Sequence, residues 1–292
     1  MMVKHCLVTG ASSQLGKPVL TQLVRDGFAV TAWSRDVSGQ AVIPGVSWQQ
    51  ADLREPPTVA SSVSLLIHLA PIDLLPEFLA TRLPALRIIA ISTCSIRFKA
   101  ESACAQEREF AAQLLAAEQR TQLLAKEQGH QLTVLRPSML YGAGRDGTVA
   151  VLQSFIQRFG FIVLPAQAAG LRQPVHVDDV AHAVLACLCQ PATINKCYEL
   201  GGAEQLTLEQ MVRCVFIQND RKPRVLAVPQ WLLRGLIAIV RKTRLRADWH
   251  PGLVARAQQA QTVDNTAAQS DFSYAPRRFD GRFIVGADNG RN

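Results

Sequence analysis

Two glycines and a serine follow the first apolar run of the chain at the spacing of a phosphate-binding turn. Gly10 and Gly16 are six positions apart, Ser13 lies midway, and the apolar residues 6–8 precede them. The first glycine of such a turn lets the chain reverse sharply, a small middle residue lets backbone approach a pyrophosphate, and the last glycine lets a helix pack closely on the strand. The N-terminus of that helix attracts phosphates, because its first N–H groups lack partners. The pattern predicts a dinucleotide-binding unit; the alternative is a strand, turn and helix without a ligand.

The end of the second predicted strand favours NADP(H) as the dinucleotide. Residues 28–33 form this strand, and Arg35 and Asp36 follow it. An acidic side chain at this point binds the ribose 2′-hydroxyl of NAD, whereas an arginine accommodates the 2′-phosphate of NADP. Arg35 therefore predicts NADP(H), and Asp36 keeps NAD(H) as the alternative. Without a ligand, Arg35 would be a solvated loop charge.

Alternating strands and helices must position these residues. Apolar runs predict strands at residues 3–8, 28–33, 46–51, 63–70, 86–91 and 132–135. Helical periodicity covers residues 14–26 and 100–128, and Pro56-Pro57 indicate the start of another helix. The alternation predicts an α/β protein with a doubly wound parallel (Rossmann) sheet, whose ligands bind outside the carboxyl ends of the strands.

The pattern becomes less regular after residue 145. Predicted elements there are a helix at 149–159, a strand at 171–177, a helix from 178 to 189, a helix capped by Thr207, a strand at 225–228 and a helix at 231–240. We therefore divide the chain into an NAD(P)-binding core at residues 1–145, with strand segments from 171–200 completing its sheet, and a small C-terminal α/β substrate or partner lobe, mainly residues 146–292.

Composition excludes several classes of protein. The chain has 292 residues, 48% of them hydrophobic and 18% charged, which is enough for a large core. No run of 18 apolar residues is present, and the apolar run at the start is too short for a secretory signal. Seven scattered cysteines, of which only Cys187 and Cys189 are close, predict reduced thiols in a cytoplasmic protein without a metal site.

Positive charge is concentrated in the C-terminal lobe. Residues 211–250 contain nine basic and two acidic side chains, against a net charge of +8 for the whole chain. Three interpretations remain open: solvated surface, contact with an anionic substrate or protein partner, or membrane-surface contact through the apolar residues 231–240 and the basic residues that follow. Nucleic-acid binding is not expected, because interleaved aromatic residues and a reading motif are both lacking.

Together these motifs resemble the extended short-chain dehydrogenase/reductase superfamily, which includes nucleotide-sugar epimerases and dehydratases. The matching sequences are, in order, TGASSQLG, SRD, ADL, HLA, IST, LRPSMLYG, PVHVDDVAHAV, YELGG and APRRF. The resemblance implies cofactor contacts along the ends of the strands. The residues concerned are Gly10, Ser12, Ser13, Gln14, Leu15, Gly16, Arg35, Asp52, Leu53, Leu69, Ala70, Pro71, Pro137 and Met139.

The proton relay typical of that superfamily is missing. Its members use a Tyr-x-x-x-Lys pair on the long helix, in which the lysine and the cofactor lower the tyrosine pKa for general acid/base work. No Tyr-x-x-x-Lys occurs in this chain. Alignment on Glu118 places Phe110 and Leu114 at the tyrosine and lysine positions. The sequence thus resembles the atypical branch, which includes NADP-sensing regulators, the NADPH-holding accessory subunit of respiratory complex I and reductases with unusual chemistry.

Two residues remain as candidates for catalysis, Thr93 and Cys94, and two as candidates for contact with a substrate or anion, Arg172 and His176. Thr93 and Cys94 follow the fifth strand, where a hydroxyl would face the nicotinamide; the alternative is that they line a pocket or cap the sheet. The resemblance implies that Arg172 binds a substrate phosphate. His176 is a pocket candidate, with a buried structural role as the alternative.

Two hypotheses for function follow. The first is an NADP(H)-dependent oxidoreductase or epimerase-like enzyme that works without the relay on a small-molecule substrate. The second is a non-catalytic NADP(H)-binding redox sensor or assembly protein. An open, polar pocket beside Cys94 and residues 137–139 would favour the enzyme. A pocket filled by apolar side chains such as Phe110 would favour the sensor.

Overall fold

A seven-stranded parallel sheet forms the centre of the protein. The computed structural model describes residues 4–60, 62–81, 83–144, 147–166, 169–229 and 258–280. The strands are β1 His5–Thr9, β2 Ala29–Ser34, β3 Val46–Gln50, β4 Leu65–His68, β5 Arg87–Ile91, β6 Gln131–Pro137, β7 Met139–Tyr141, β8 Ile162–Pro165, β9 Leu171–Arg172, β10 Pro174–His176, β11 Lys196–Leu200, β12 Leu206–Thr207 and β13 Val225–Val228. The central sheet has the order β11-β6-β5-β4-β1-β2-β3. Because the order reverses at β1, this is the doubly wound topology, and the predicted fold is confirmed.

Eight α-helices occur in the described part of the chain. They are α1 Gly16–Arg25, α2 Leu75–Leu79, α3 Ser95–Phe98, α4 Ala105–Glu127, α5 Val149–Phe159, α6 Val177–Cys189, α7 Leu208–Gln218 and α8 Thr266–Phe272. The predicted bounds of α5 and β13 are confirmed, as is the Thr207 cap of α7, which forms a reciprocal capping box with Gln210. The predicted helix at Pro56-Pro57 is wrong: residues 56–60 are irregular, because adjacent prolines remove two backbone donors. The predicted helix at 231–240 lies outside the described residues.

Helices cover both faces of the sheet. On one face α1 and α6 pack together and bury side chains such as Leu20 and Val184. On the other face α2 and α4 bury side chains such as Phe78 and Leu114. Burial of each large apolar side chain stabilises the folded state by roughly 1.5–3 kcal/mol. Both helix layers therefore fix the carboxyl ends of the strands, where the predicted cofactor residues lie.

The C-terminal lobe has an apolar cluster of its own. β8 and β13 pair in parallel, and α5 and α7 pack together beside them. Their buried residues include Val149, Ile156, Val215 and Phe216. Among the described residues this cluster, to which we now restrict the word lobe, consists of two helix-to-strand units, α5–β8 and α7–β13, whose connecting turns lie at the same end.

Three properties concern membranes, metals and thiols. No helix among the described residues is long and apolar enough to cross a membrane. The same residues contain no group of three His, Cys, Asp or Glu side chains that could hold a metal ion. All seven cysteines are free thiols.

A buried ion pair joins the long helix to the sheet. Glu118 on α4 is 1% exposed, and Arg136 on β6 donates from Nε to its Oε2 at 3.1 Å and from Nη2 to its Oε1. The bidentate geometry satisfies both groups where solvent cannot.

We predict that Glu118→Ala lowers the free energy of unfolding by about 3 kcal/mol, because it leaves the Arg136 guanidinium largely buried without its carboxylate. Urea denaturation measures the change. Glu209→Ala is the matched control, since Glu209 pairs with Arg213 on the exposed surface of α7 and its loss costs about 0.5 kcal/mol or less. Equal losses for both variants would contradict the prediction.

A buried histidine ends β4. The Nδ1 atom of His68 lies 2.9 Å from Thr9 Oγ1, and its Nε2 lies 3.1 Å from the Pro71 carbonyl oxygen. Burial lowers the pKa of His68 from 6.5 to about 4, so the folded protein holds the ring neutral. His68 is therefore a packed histidine of the protein core.

This pKa makes part of the stability depend on pH. Between pH 6.5 and about 4 the unfolded chain binds a proton at His68 that the folded chain rejects. The contribution of His68 is therefore complete above pH 6.5 and is lost as pH falls, by roughly 1.4 kcal/mol per unit. From about pH 7.5 to about pH 5, wild type should lose roughly 2 kcal/mol more stability in urea than His68→Asn does. His182→Asn, at an exposed histidine, should behave as wild type; parallel pH profiles for His68→Asn and wild type would refute the assignment.

Candidate functional site

The glycine-rich turn between β1 and α1 is closely packed on both sides. Gly10 has φ +67°, and a Cβ atom there would lie 2.4 Å from the Ala70 nitrogen at the end of β4. A Cβ atom on Gly16 would lie 1.7 Å from the Ala11 carbonyl oxygen. Only glycine permits either approach, so the turn and the start of α1 occupy the position that a dinucleotide-binding turn requires.

Polar groups at this turn fit an anionic ligand. No side chain caps the N-terminus of α1, and its first turn contains no acidic residue. Ser13 Oγ and Gln14 Oε1 are buried and have no hydrogen-bond partner within the described residues. Buried polar atoms without partners are uncommon and costly, and a helix N-terminus favours negative charge. The residues present therefore fit a bound dinucleotide.

The loop after β2 is tied to this turn. The Ser34 hydroxyl lies 2.9 Å from Ser12 Oγ. The Asp36 carboxylate accepts hydrogen bonds from the hydroxyl and the backbone N–H of Ser38, at 2.6 and 2.8 Å. These bonds lower the pKa of Asp36, the hydroxyl bond most. Arg35 is exposed, and no described residue forms a hydrogen bond or ion pair with its guanidinium. Asp36 is thus engaged within its own loop, while Arg35 faces solvent.

The predicted cofactor residues lie at the carboxyl ends of the parallel strands, which we call the sheet edge. The glycine-rich turn follows β1, Arg35 follows β2, Asp52 follows β3 and Leu69 follows β4. Pro137 is the last residue of β6. Parallel strands bring these ends together. Leu53, Leu69 and Ala70 are buried, whereas Asp52 and Pro71 are exposed. Met139 is half-buried in the cleft described next.

An open cleft of about 450 Å³ lies beside this edge. Its lining is largely polar and comes from the turn, the end of β5 with α3, the β6–β7 connection and the lobe. The lining residues are Gln14, Ser92, Thr93, Ser95, Phe98, Lys99, Pro137, Ser138, Met139, Leu140, Thr148, Arg172 and Gln261. The space beside residues 137–139 is therefore open.

The residues at the relay positions do not fill this cleft. Phe110 is 46% exposed, and the Lys99 ammonium lies 5.0 Å from the centroid of its ring. Leu114 is buried against the sheet. A phenyl ring and an alkyl chain cannot exchange a proton, so neither side chain can act as the acid/base pair.

The two catalytic candidates after β5 differ in environment. Thr93 lines the cleft, and its Oγ1 accepts a hydrogen bond from the Ser95 N–H at 3.1 Å. The Cys94 thiol is buried and donates to the Arg136 carbonyl oxygen at 2.9 Å. Burial raises the pKa of Cys94 to about 12. Because the thiolate is the reactive form of cysteine, this environment favours the alternative for Cys94, a place at the end of the sheet without a catalytic role.

Sequence reasoning missed Ser92 and Lys99. Ser92 Oγ is buried in the cleft wall and has no partner within the described residues. Lys99 follows α3 in the same wall. Both could have been predicted from their positions in the sequence, since they follow the carboxyl end of β5. Ligands of parallel α/β sheets bind outside the carboxyl ends of the strands.

Of the two predicted substrate contacts, only Arg172 lies at the cleft. Arg172 is buried in its wall and donates to the carbonyl oxygens of Leu171 at 2.9 Å and Gln259 at 2.7 Å. His176 is buried elsewhere; its Nδ1 accepts from the Asp178 N–H at 3.2 Å and so caps α6. His176 thus has the buried structural role that was its alternative, and it does not line the cleft.

Known proteins resemble this chain over different parts of its length. Residues 74–201 match the model of the NAD dependent epimerase/dehydratase family. A 2-alkyl-3-oxoalkanoate reductase from Shewanella oneidensis is 25% identical and aligns with 94% of this chain and 82% of its own. A mitochondrial NADH dehydrogenase [ubiquinone] 1 alpha subcomplex subunit 9 from Arabidopsis thaliana is 28% identical over 37% of this chain, and the aligned part is 27% of that relative's length.

A solved structure shows the same fold. The UDP-glucuronic acid 4-epimerase from Bacillus cereus, in complex with UDP-glucuronic acid and NAD, superposes with a TM-score of 0.68 over 95% of each chain, at 15% identity. The strand order and the glycine-rich turn agree with these likenesses: the chain has the Rossmann-like α/β fold of this epimerase, and its residues 74–201 match the NAD dependent epimerase/dehydratase family model.

Proposed function

We propose that this protein binds NADP(H) along the sheet edge and acts as an oxidoreductase or epimerase-like enzyme on a small anionic substrate. The observation that carries the proposal is the open polar cleft next to the glycine-rich turn. Two atoms of its walls, Gln14 Oε1 and Ser92 Oγ, are buried without partners in the described part of the chain. Such atoms cost free energy unless a ligand or water satisfies them, so they favour a site built for a bound molecule.

The loop after β2 supports NADP(H) over NAD(H). Binding of the adenosine ribose in NAD needs an acidic side chain that accepts from the 2′-hydroxyl. Asp36 already accepts two bonds from Ser38, while Arg35 is exposed one position earlier. A guanidinium at this point matches a 2′-phosphate in both charge and hydrogen-bonding geometry.

The charge of the cleft supports an anionic substrate. Lys99 and Arg172 are the ionisable side chains among the described lining residues, which include no carboxylate. The wall therefore carries a positive potential that attracts carboxylates or phosphates. The name of the Shewanella relative, a reductase of 3-oxoalkanoates, supports the same class of substrate.

A bound nicotinamide would supply hydride transfer, and the chain would supply position and charge. Ser92 and Thr93 have hydroxyl groups at the end of β5 that can donate to a substrate oxygen. Arg172 keeps its proton at all ordinary pH values. Lys99 is the other cation of the cleft wall, and we assign it the role of holding an anionic substrate beside these hydroxyl groups, in place of the family's tyrosine and lysine pair.

A non-catalytic NADP(H)-binding protein is the second candidate. Phe110 and Leu114 favour it, because they remove the family's proton relay. The likeness of part of the chain to a plant NADH dehydrogenase subunit supports an assembly or accessory role in the same way. The open cleft favours the enzyme, since Phe110 leaves it unfilled.

Calorimetric titration with NADPH, NADP, NADH and NAD tests the cofactor. We expect Arg35→Ala to weaken NADPH binding by roughly ten- to a hundredfold, because one charged hydrogen-bonding contact is worth about 1.5–3 kcal/mol. NADH binding should not change. Arg25→Ala, at an exposed position in the last turn of α1, is the control and should match wild type. An Arg35→Ala variant that loses NADPH and NADH affinity equally would contradict the NADP(H) assignment.

NADPH oxidation with acetoacetate, a small 3-oxo acid, tests the role of Lys99. We expect Lys99→Met to lower kcat/KM by at least tenfold, since the anion contact is worth about 1.5 kcal/mol or more. Its affinity for NADPH should not change. Lys126→Met, in the exposed last turn of α4, should retain full activity.

The two candidate functions differ in this assay. Wild type that binds NADPH tightly, yet neither oxidises it with acetoacetate nor epimerises UDP-glucuronic acid, would favour the non-catalytic protein. Turnover unaffected by Lys99→Met would leave the enzyme but remove Lys99 from its mechanism.

A further inference from the structure

Exposed apolar side chains are concentrated at one end of the C-terminal lobe, where its two helix-to-strand turns meet. We call this surface, residues 158–161 and 217–226, the lobe tip. Its exposed apolar residues are Phe159 (50%), Phe161 (37%), Ile217 (61%) and Leu226 (52%). Single exposed apolar residues are ordinary, but a group of them marks an interaction surface.

Contacts show that both turns belong to one surface. The Arg221 guanidinium donates to the Ile156 carbonyl oxygen at 3.0 Å, which places the second turn against the end of α5. The Ile162 N–H donates to the Arg224 carbonyl oxygen at 2.9 Å. Phe161 therefore lies next to the start of β13.

The partly buried ring of Phe155 supports the aromatic rings of the lobe tip. The rings of Phe155 and Phe159 are 4.4 Å apart between centroids, and those of Phe155 and Phe161 are 6.4 Å apart. Phe155 is partly buried in the lobe cluster. The exposed rings are thus supported, so they present a defined apolar surface.

Positive charge surrounds these apolar side chains. Arg158, Arg221, Lys222 and Arg224 are all exposed, and Asp220 is the acidic residue within the lobe tip. The Arg158 guanidinium lies 5.5 Å from the centroid of the Phe159 ring. Apolar side chains within a cationic rim match a bilayer surface, where the rings reach the acyl boundary and the cations meet anionic headgroups.

We propose that the lobe tip docks the protein on membranes that contain anionic phospholipid. Charge complementarity selects this occupant: four cations with one carboxylate would repel a second copy of the same surface. The apolar side chains are phenylalanine and aliphatic residues, which suit acyl chains. They offer no donors or acceptors for reading bases.

Docking at this surface leaves the cleft accessible. α5 begins next to Thr148, which lines the cleft, and ends at Phe159 in the lobe tip. Its 11 residues separate the two by about 16 Å at 1.5 Å per residue. Membrane docking and ligand binding are therefore independent, and each can fail without the other.

Co-sedimentation of the full chain with vesicles tests the proposal. We expect binding to phosphatidylcholine vesicles that contain phosphatidylserine, little binding to phosphatidylcholine alone, and release at high salt. Lys222→Gln with Arg224→Gln should weaken binding about thirtyfold, because each cation at an anionic surface contributes about one kcal/mol. Phe159→Ser with Phe161→Ser should weaken it at least about tenfold.

Matched controls lie far from the lobe tip. Val42→Ser with Leu123→Ser removes two exposed apolar side chains elsewhere, and Arg25→Gln with Lys126→Gln removes two exposed cations. Both double variants should bind vesicles as wild type does, and every variant should keep the wild-type melting temperature. The proposal is wrong if wild type does not prefer phosphatidylserine vesicles, or if tip and control variants bind equally. Tip-dependent binding to a single-stranded oligonucleotide without vesicle binding, or tip-dependent self-association in sedimentation velocity, would overturn it in favour of those partners.

Discussion

The glycine-rich turn lies very close to the end of β4. The arrangement of the carboxyl ends of the strands depends on this close approach. Gly10 fits against the Ala70 backbone only because it has no Cβ, and its positive φ turns the chain directly into α1. The Leu69 N–H then donates to the Thr9 carbonyl oxygen at 2.8 Å, which continues the β1–β4 pairing past the strand ends. Any larger residue at position 10 would push β1 and β4 apart at the point where a dinucleotide would bind.

Other contacts extend this arrangement along the edge. Ser34 links the loop after β2 to Ser12 of the turn, so the position of Arg35 depends on the turn as well. On the other side, the Cys94 N–H donates to the Pro137 carbonyl oxygen at 3.1 Å. That bond holds the ends of β5 and β6 together beneath the cleft. The cofactor edge and the cleft are thus parts of one rigid framework, although the family's proton relay is missing from it.

The sequence predicted the sheet well because its strands are buried on both faces. Residues 63–70, for example, are apolar except for Ser64 and His68, and Gly10 and Arg35 follow the first two strands. Side-chain environments were harder to predict. Cys94 looked like a pocket residue, yet its thiol bonds the Arg136 carbonyl oxygen within the sheet, and His176 turned out to cap α6. Such contacts depend on the direction in which a side chain points beyond the end of its strand. The alternation of side chains between the two faces of the sheet no longer determines that direction there.

Lys99 and Phe110 show how this chain differs from the pattern that its sequence resembles. In the relay, a phenol and an ammonium share one helix, and the ammonium stabilises the charge of the phenolate. In this chain α4 has a phenyl ring, that of Phe110, at the tyrosine position. The nearby ammonium belongs to Lys99, which precedes α4, and it lies 5.0 Å from the centroid of the Phe110 ring. A cation beside a phenyl ring keeps its charge but gains no proton partner from that ring. The proposed function therefore depends on the binding of an anion by this cation and not on the deprotonation of a sugar hydroxyl.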